Sequence, residues 1–99
     1  MPTRYHHPQM GPQTEDDLRG LITSLLGGRL GIEPESIDAG EQFSRYGLDS
    51  LNAIGLIADL AKALGRSLSP VLLWQHQTPG ALARHDWREG GAGKLRIPR

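Results

Sequence analysis

The chain has 99 residues, 37% of them apolar, with 11 Lys and Arg balancing 11 Asp and Glu and no cysteine. That length fits one small domain with a core only just large enough to be stable. The balanced charge lacks the basic stripe of a nucleic-acid binder, and the missing cysteines exclude disulfides, thiolate metal sites and a cysteine nucleophile.

No apolar run is long enough to cross a membrane, and Met1–Gln13 has no apolar centre of the kind a signal peptide needs. A soluble, cytoplasmic domain is therefore expected, with a monomer as the default. Residues 1–13 carry Pro2, Pro8, Gly11 and Pro12, and residues 88–99 carry Gly90, Gly91, Gly93 and Pro98. Both ends read as disordered tails around a folded unit at residues 14–87. His6 and His7 fall in the first tail and read as solvated, and no metal site is expected.

The first element begins at Thr14. A threonine cap followed by Glu15, Asp16 and Asp17 is a helix start, because both the hydroxyl and the acids complement free first-turn amides. Leu18, Leu21, Ile22, Leu25 and Leu26 follow at helical spacing, and Leu30 extends their face. Gly27 and Gly28 each weaken the last turn by about 1 kcal/mol relative to alanine, and Gly31 is a natural C-terminal cap.

From Gly31 to Asp49 no period holds, a long connection for so small a domain. Ile32, Ile37, Phe43, Tyr46 and Leu48 are its expected anchors. Phe43 is the chain's single phenylalanine, and its burial is worth about 1.5–3 kcal/mol, enough to pin the loop. Pro34-Glu35-Ser36 can form a short helical turn.

Asp49 caps a second helix from Ser50 to about Leu64, ended by Gly65, with Lys62 and Arg66 favourable at its negative end. Ser69-Pro70 opens a short third helix through Val71, Leu72, Leu73 and Trp74, and Thr78-Pro79 opens a last one reaching about Asp86. There is no β-alternation. The fold class is all-α, a four-helix bundle of three main helices and one short one, with a long loop between the first two. Trp74 and Trp87 are expected as packing residues.

The second helix carries two apolar stripes. Ala53, Leu56, Ile57, Leu60 and Leu64 suit a core. Leu51, Ile54 and Ala58 form another stripe beginning beside Ser50. It is either wrapped by the rest of a small bundle or exposed as a partner surface. Ser50 itself lies on the first turn just after an acidic cap. Unpaired amides and the positive end of the helix dipole make that position favourable for a phosphate, and Asp49 leaves the hydroxyl free of capping.

Leu18 to about His85 resembles acyl carrier domains of polyketide and related lipid synthases. The resemblance rests on Leu30-Gly31-Ile32-Glu33-Pro34, Ile37-Asp38, and above all Phe43-Ser44-Arg45-Tyr46-Gly47-Leu48-Asp49-Ser50-Leu51. It continues in Leu64-Gly65-Arg66-Ser67-Leu68-Ser69-Pro70, Leu72-Leu73-Trp74-Gln75-His76 and Ala81-Leu82-Ala83-Arg84-His85. It implies an acyl-carrier-protein-like bundle in which Ser50, flanked by Asp49 and Leu51, carries 4′-phosphopantetheine donated from coenzyme A by a phosphopantetheinyl transferase. The thiol of that arm explains how a chain without cysteine can hold thioesters. Partners implied are an acyl-loading enzyme (an acyltransferase or an acyl-AMP ligase) and a ketosynthase or other synthase enzyme. Leu48, Leu51, Ile54 and Ala58 are the expected docking residues, and the domain itself is not an enzyme.

Three departures bear on the pathway. The neutral charge differs from the strongly acidic fatty-acid carriers and favours a polyketide-type synthase. Gln77 stands where many relatives have proline, and Gly55 sits inside the second helix where a longer side chain is common. Tyr46-Gly47-Leu48-Asp49-Ser50 is also the wording of carriers loaded by fatty acyl-AMP ligases. The alternatives are a peptidyl carrier domain of a nonribosomal peptide synthetase, whose loop usually has glycine where Leu48 stands, and an unmodified helical adaptor. A hydrolase using Ser50 would need a positioned base, yet His76 and His85 read as capping or solvated residues and no Gly-x-Ser-x-Gly elbow surrounds the serine.

Overall fold

The first helix starts where the cap chemistry places it. Thr14 Oγ1 accepts the Asp17 N–H at 2.9 Å, and the Asp17 carboxylate accepts the Gln13 N–H at 3.1 Å, so two backbone donors at the helix start gain side-chain acceptors. A computed structural model describes residues 12–90 of the chain. Its elements are α1 (Glu15–Leu30), 3₁₀ turns at Pro34–Ser36 and Phe43–Tyr46, α2 (Ser50–Leu64), α3 (Leu72–Gln75) and α4 (Pro79–Gly90). The architecture is the all-α bundle expected, with no strand among the described residues. The tail expectations fall mainly on residues 1–11 and 91–99, which lie outside the described residues, as do His6 and His7.

α1 presents Leu18, Ile22 and Leu26, all 1% exposed or less, to the interior. They meet Ala53, Leu56, Ile57 and Leu60 of α2, Leu73 of α3, and Leu82 and Ala83 of α4. α1 packs against both α2 and α4. At about 1.5–3 kcal/mol per fully buried large side chain, this cluster is the main term holding the domain together.

Gly27 does more than loosen the end of α1. The Ile32 N–H donates to the Gly27 carbonyl at 2.9 Å, and the Ile32 carbonyl crosses the space a Cβ at residue 27 would fill. Glycine here lets the chain fold back against its own helix. Gly28, with open space around it, keeps the simple reading.

The long loop is ordered by anchors rather than by repeating structure. Ile37 and Phe43 are buried, and Ile32, Tyr46 and Leu48 pack partly against the core. The Asp38 N–H donates to Tyr46 Oη at 2.7 Å. Two further bonds fasten the loop to the segment before and into α4: the Phe43 N–H to the Gln77 carbonyl, and the Gly80 N–H to the Ala39 carbonyl, both 2.8 Å. These partners satisfy backbone groups that a loop lying on the bundle would otherwise leave unpaired. The Phe43–Tyr46 turn was not evident in the sequence.

α3 starts two residues after Pro70, because Ser69 and Pro70 form the preceding turn, their carbonyls accepting the Leu72 and Leu73 N–H groups at 3.1 Å. α4 opens at Thr78, whose hydroxyl accepts the Ala81 N–H at 3.0 Å. It continues through Gly90, beyond the Asp86 end and the boundary at residue 87 read from the sequence. Arg88 and Glu89 are good helix formers, so the helix runs until the glycine cluster begins.

Asp86 is the one charged side chain buried among the described residues, 3% exposed. Its carboxylate pairs with the Arg66 guanidinium, tying the end of α2 to α4. Arg66 therefore has a specific partner in addition to its place at a helix end. A carboxylate so placed is tolerable only while paired.

His76 is the C-cap residue of α3, its N–H donating to the Leu72 carbonyl at 2.8 Å, and both His76 and His85 are half-buried rather than fully solvated. Their rings stack at 4.1 Å between centroids and 22° between planes. Burial, and then the neighbouring His85, hold the His76 imidazolium below its ordinary value of 6.5. The unfolded chain therefore protonates His76 more readily than the folded one. Stability is present above pH 6.5 and is lost as the pH falls from there through the lowered folded value. Urea midpoints should decline between about pH 7.5 and 5.5, and His76→Gln should flatten the decline. An unchanged slope in the variant would remove His76 as the cause.

Candidate functional site

The Ser50 turn is built by three neighbours. Gly47 adopts φ 87°, a left-handed conformation that suits glycine. Its N–H bonds back to the Phe43 and Ser44 carbonyls, closing the 3₁₀ turn and sending the chain toward α2. Leu48 is half-buried against the core and fixes the approach. Asp49 then caps α2, its carboxylate accepting the Asn52 N–H at 2.8 Å.

Ser50 is exposed at the first position of the helix. Since Asp49 supplies the cap, the Ser50 hydroxyl is not drawn into it. The Ser50 and Leu51 amides are first-turn donors without an intrahelical partner. Beside them opens a cleft of about 360 Å³ lined by Phe43, Ser44, Leu48, Asp49, Ser50, Ala53, Leu73, Trp74 and Gln77. Its walls, polar and apolar in about equal measure, come mainly from the loop, α2 and α3. Trp74, expected as a core or rim packing residue, takes the rim position, half exposed at this cleft. No histidine lines it, so the serine has no base there of the kind a hydrolase requires. Among the described residues no three His, Asp or Glu side chains group to hold a metal ion.

The second stripe of α2 is exposed rather than wrapped. Leu51 is 79% exposed and Ile54 51% exposed, and Ala58 also faces outward. Beside them the Arg29 guanidinium reaches over from α1. It bonds Asp59 Oδ2 through Nε at 3.3 Å and Nη2 at 2.9 Å, and occupies the space a Cβ on Gly55 would fill. A helix-interior glycine costs about 1 kcal/mol relative to alanine. An exposed ion pair returns only about 0.2–1 kcal/mol. The arrangement is not accounted for by stability.

The comparisons with known proteins bear on this turn directly. The family described as the phosphopantetheine attachment site matches residues 20–85, spanning the loop, the Ser50 turn and all of α2. The chain belongs to the phosphopantetheine-binding carrier family. The chain is 36% identical, over 79% of its length, to the polyketide synthase ThaG of Burkholderia thailandensis. It is 34% identical, over 72% of its length, to a phenolphthiocerol/phthiocerol polyketide synthase subunit of Mycobacterium tuberculosis. It spans only 1% and 4% of those two proteins. A free-standing peptidyl carrier protein of Acinetobacter baumannii is similar in structure, with a TM-score of 0.72 and 35% identity over 76% of this chain and 94% of that one.

Carrier domains of this family are not themselves catalysts, and their covalent cofactor is 4′-phosphopantetheine. The residues at the start of α2 fit that group: an exposed hydroxyl, unpartnered first-turn amides for a phosphodiester, and an adjoining cleft lined by polar and apolar side chains alike. Among the described residues no helix is long and apolar enough to cross a membrane.

Proposed function

We propose that Ser50 is the residue that takes up 4′-phosphopantetheine, and that the domain presents acyl groups to the enzymes of a polyketide or related lipid synthase. The observation that carries this reading is the exposed Ser50 hydroxyl on a helix start already capped by Asp49. The group supplies a flexible arm ending in a thiol, on which acyl chains are held as thioesters. The chain's own part is to position it. In a reaction run by a separate phosphopantetheinyl transferase, Ser50 Oγ loses its proton and attacks the pantetheine-side phosphorus of the coenzyme A pyrophosphate, forming a phosphodiester as the P–O bond to adenosine 3′,5′-bisphosphate breaks and that group leaves. The Ser50 and Leu51 amides and the α2 dipole favour the resulting negative charge. Asp49 orients the first turn, and Leu51, Ile54 and Ala58 form the docking face, with Leu48 supporting its base.

The partners in this reading are the transferase, an acyltransferase or acyl-AMP ligase that loads the thiol, and a ketosynthase or comparable enzyme that takes the acyl group onward. Similarity to the two polyketide synthases supports that choice. A peptidyl carrier role is the second reading, favoured by the likeness to the Acinetobacter baumannii protein. Loading assays of the holo protein separate the two. Thioester formation with amino acids from adenylating enzymes, and none with acyl donors, would select the peptidyl role.

The carrier reading itself is tested by intact mass before and after incubation with coenzyme A and a broad-specificity transferase. The expected result is a gain of one phosphopantetheine group, located at Ser50 by fragmentation of its peptide. A folded protein that gains nothing would sink it and leave an unmodified adaptor.

A further inference from the structure

The cleft beside Ser50 has a floor and a rim of unlike chemistry. Phe43, Ala53 and Leu73 are buried and make the floor, while Ser44 and Gln77 are exposed and belong to the rim. Trp74 lies half exposed along the wall. Gln77 is tied to α3 through its side chain, Nε2 donating to the Trp74 carbonyl at 3.2 Å. That bond fixes the carboxamide beside Trp74. Its Oε1 accepts from no protein group among the described residues, so the lining holds an acceptor free to pair with solvent or a ligand. The Gln77 backbone carbonyl separately accepts the Phe43 N–H at 2.8 Å, so the residue's place in the cleft does not depend on its side chain.

Resting on Ser50 as the attachment residue, we propose that Trp74 and Gln77 clamp the near half of the phosphopantetheine arm in this cleft, so that the domain seats the arm itself and leaves the thiol and its acyl group outside. Three features select this occupant. Ser50 is part of the lining, so a group attached there is delivered by its own tether. A short flexible tether holds its ligand at about millimolar effective concentration, and even a weak site is then occupied. The volume of about 360 Å³ is at the small end for sites that enclose organic groups. It gives room to the near half of the arm, and not to the whole arm with a long acyl chain. The near half carries two methyl groups on one carbon, a hydroxyl and an amide. The methyls suit the apolar floor and the Trp74 ring, and the amide N–H suits Gln77 Oε1. An alkyl chain would use the floor alone and cover that acceptor without pairing it.

Isotope-labelled protein, converted with unlabelled coenzyme A by a broad-specificity transferase, lets NMR tell arm protons from protein protons. Intact mass follows the conversion. Nuclear Overhauser contacts are expected between the arm's paired methyl groups and the Trp74 ring. Holo-minus-apo shift changes are expected at the Trp74 indole N–H and the Gln77 carboxamide. Gln77→Met keeps the length of the side chain and removes the carboxamide. It should cut the Trp74 shift change by about twofold or more, because losing one hydrogen bond lowers the docked-to-free ratio about fivefold. Trp74→Ala should cut the Gln77 change at least as much. Both side chains are exposed, so the core is not at risk, and apo spectra outside the cleft check that the bundle is intact. A second conversion uses octanoyl coenzyme A, which attaches arm and chain together. Its contacts should match those of the unacylated form.

A holo protein without methyl contacts to Trp74 would overturn the proposal. So would shift changes at Trp74 and Gln77 that arise only with the octanoyl arm, since the cleft would then belong to the acyl chain. Contacts kept at full strength in either variant would also overturn it, because the substituted residue would not be what holds the arm. Failure of the Ser50 reading looks different. No mass would be gained with either donor, and the seating of the arm would fall with it.

Discussion

Ser50→Ala should abolish uptake of the phosphopantetheine group entirely while leaving the bundle's stability unchanged to within about 0.5 kcal/mol. Both halves of that result follow from the geometry of one turn. The hydroxyl is exposed and is not the cap of α2, so its loss removes the site of phosphodiester formation and no contact of the fold. Asp49→Ala makes the opposite separation. It keeps the hydroxyl but removes the oxygen that accepts the Asn52 N–H, at a cost of about 1 kcal/mol. Intact mass and urea midpoints measured on both variants form a two-by-two test. A large loss of stability in Ser50→Ala would mean that the serine is structural, and residual mass gain would mean that another residue takes the group.

Phe43→Ala should be the most damaging single substitution for the fold, with an expected loss of about 3–5 kcal/mol. Small domains have about 5–15 kcal/mol in total. Phe43 is 4% exposed and belongs to the central cluster. Its backbone N–H also fastens the loop to the Gln77 carbonyl. Its ring lines the cleft beside Ser50. Truncation therefore opens a cavity where loop, α2 and α3 meet, and loosens the turn that aims the serine. Thermal unfolding should show Tm lowered by about 12–40 °C, and Phe43→Leu should recover most of the loss. A drop below about 1 kcal/mol would mean that Ile37 and Tyr46 hold the loop without Phe43.

The parts of this domain legible in its sequence are those set by neighbours along the chain. Thr14 and Asp49 cap helices because their acceptors lie three residues away. Gly31 and Gly65 end helices through bonds to carbonyls of the preceding turn. The alternation of buried and exposed positions in α2 follows from the period of the helix. What could not be read were pairings across distant segments. Arg29 finds Asp59 thirty residues on, Arg66 finds Asp86, and His76 stacks on His85. In each case the residue was visible but its partner was set by how helices pack. Gly55 was the one local signal, a glycine inside an otherwise strong helix, yet nothing nearby said which side chain would fill its gap. α4 runs past its sequence-predicted end because Arg88 and Glu89 sustain the helix, although composition places them beside the glycines that follow.

Only two tryptophans occur in the chain, and they occupy unlike environments. Trp87 is partly buried against the core on α4, whereas Trp74 is half exposed on α3 at the wall of the cleft. The molecule thus carries two separate optical probes. In a Trp74→Phe background, indole emission follows unfolding of the bundle alone. In a Trp87→Phe background, it follows the polarity of the cleft wall beside Ser50. Changes at the cleft and unfolding of the bundle can then be watched independently, without attaching a dye to either.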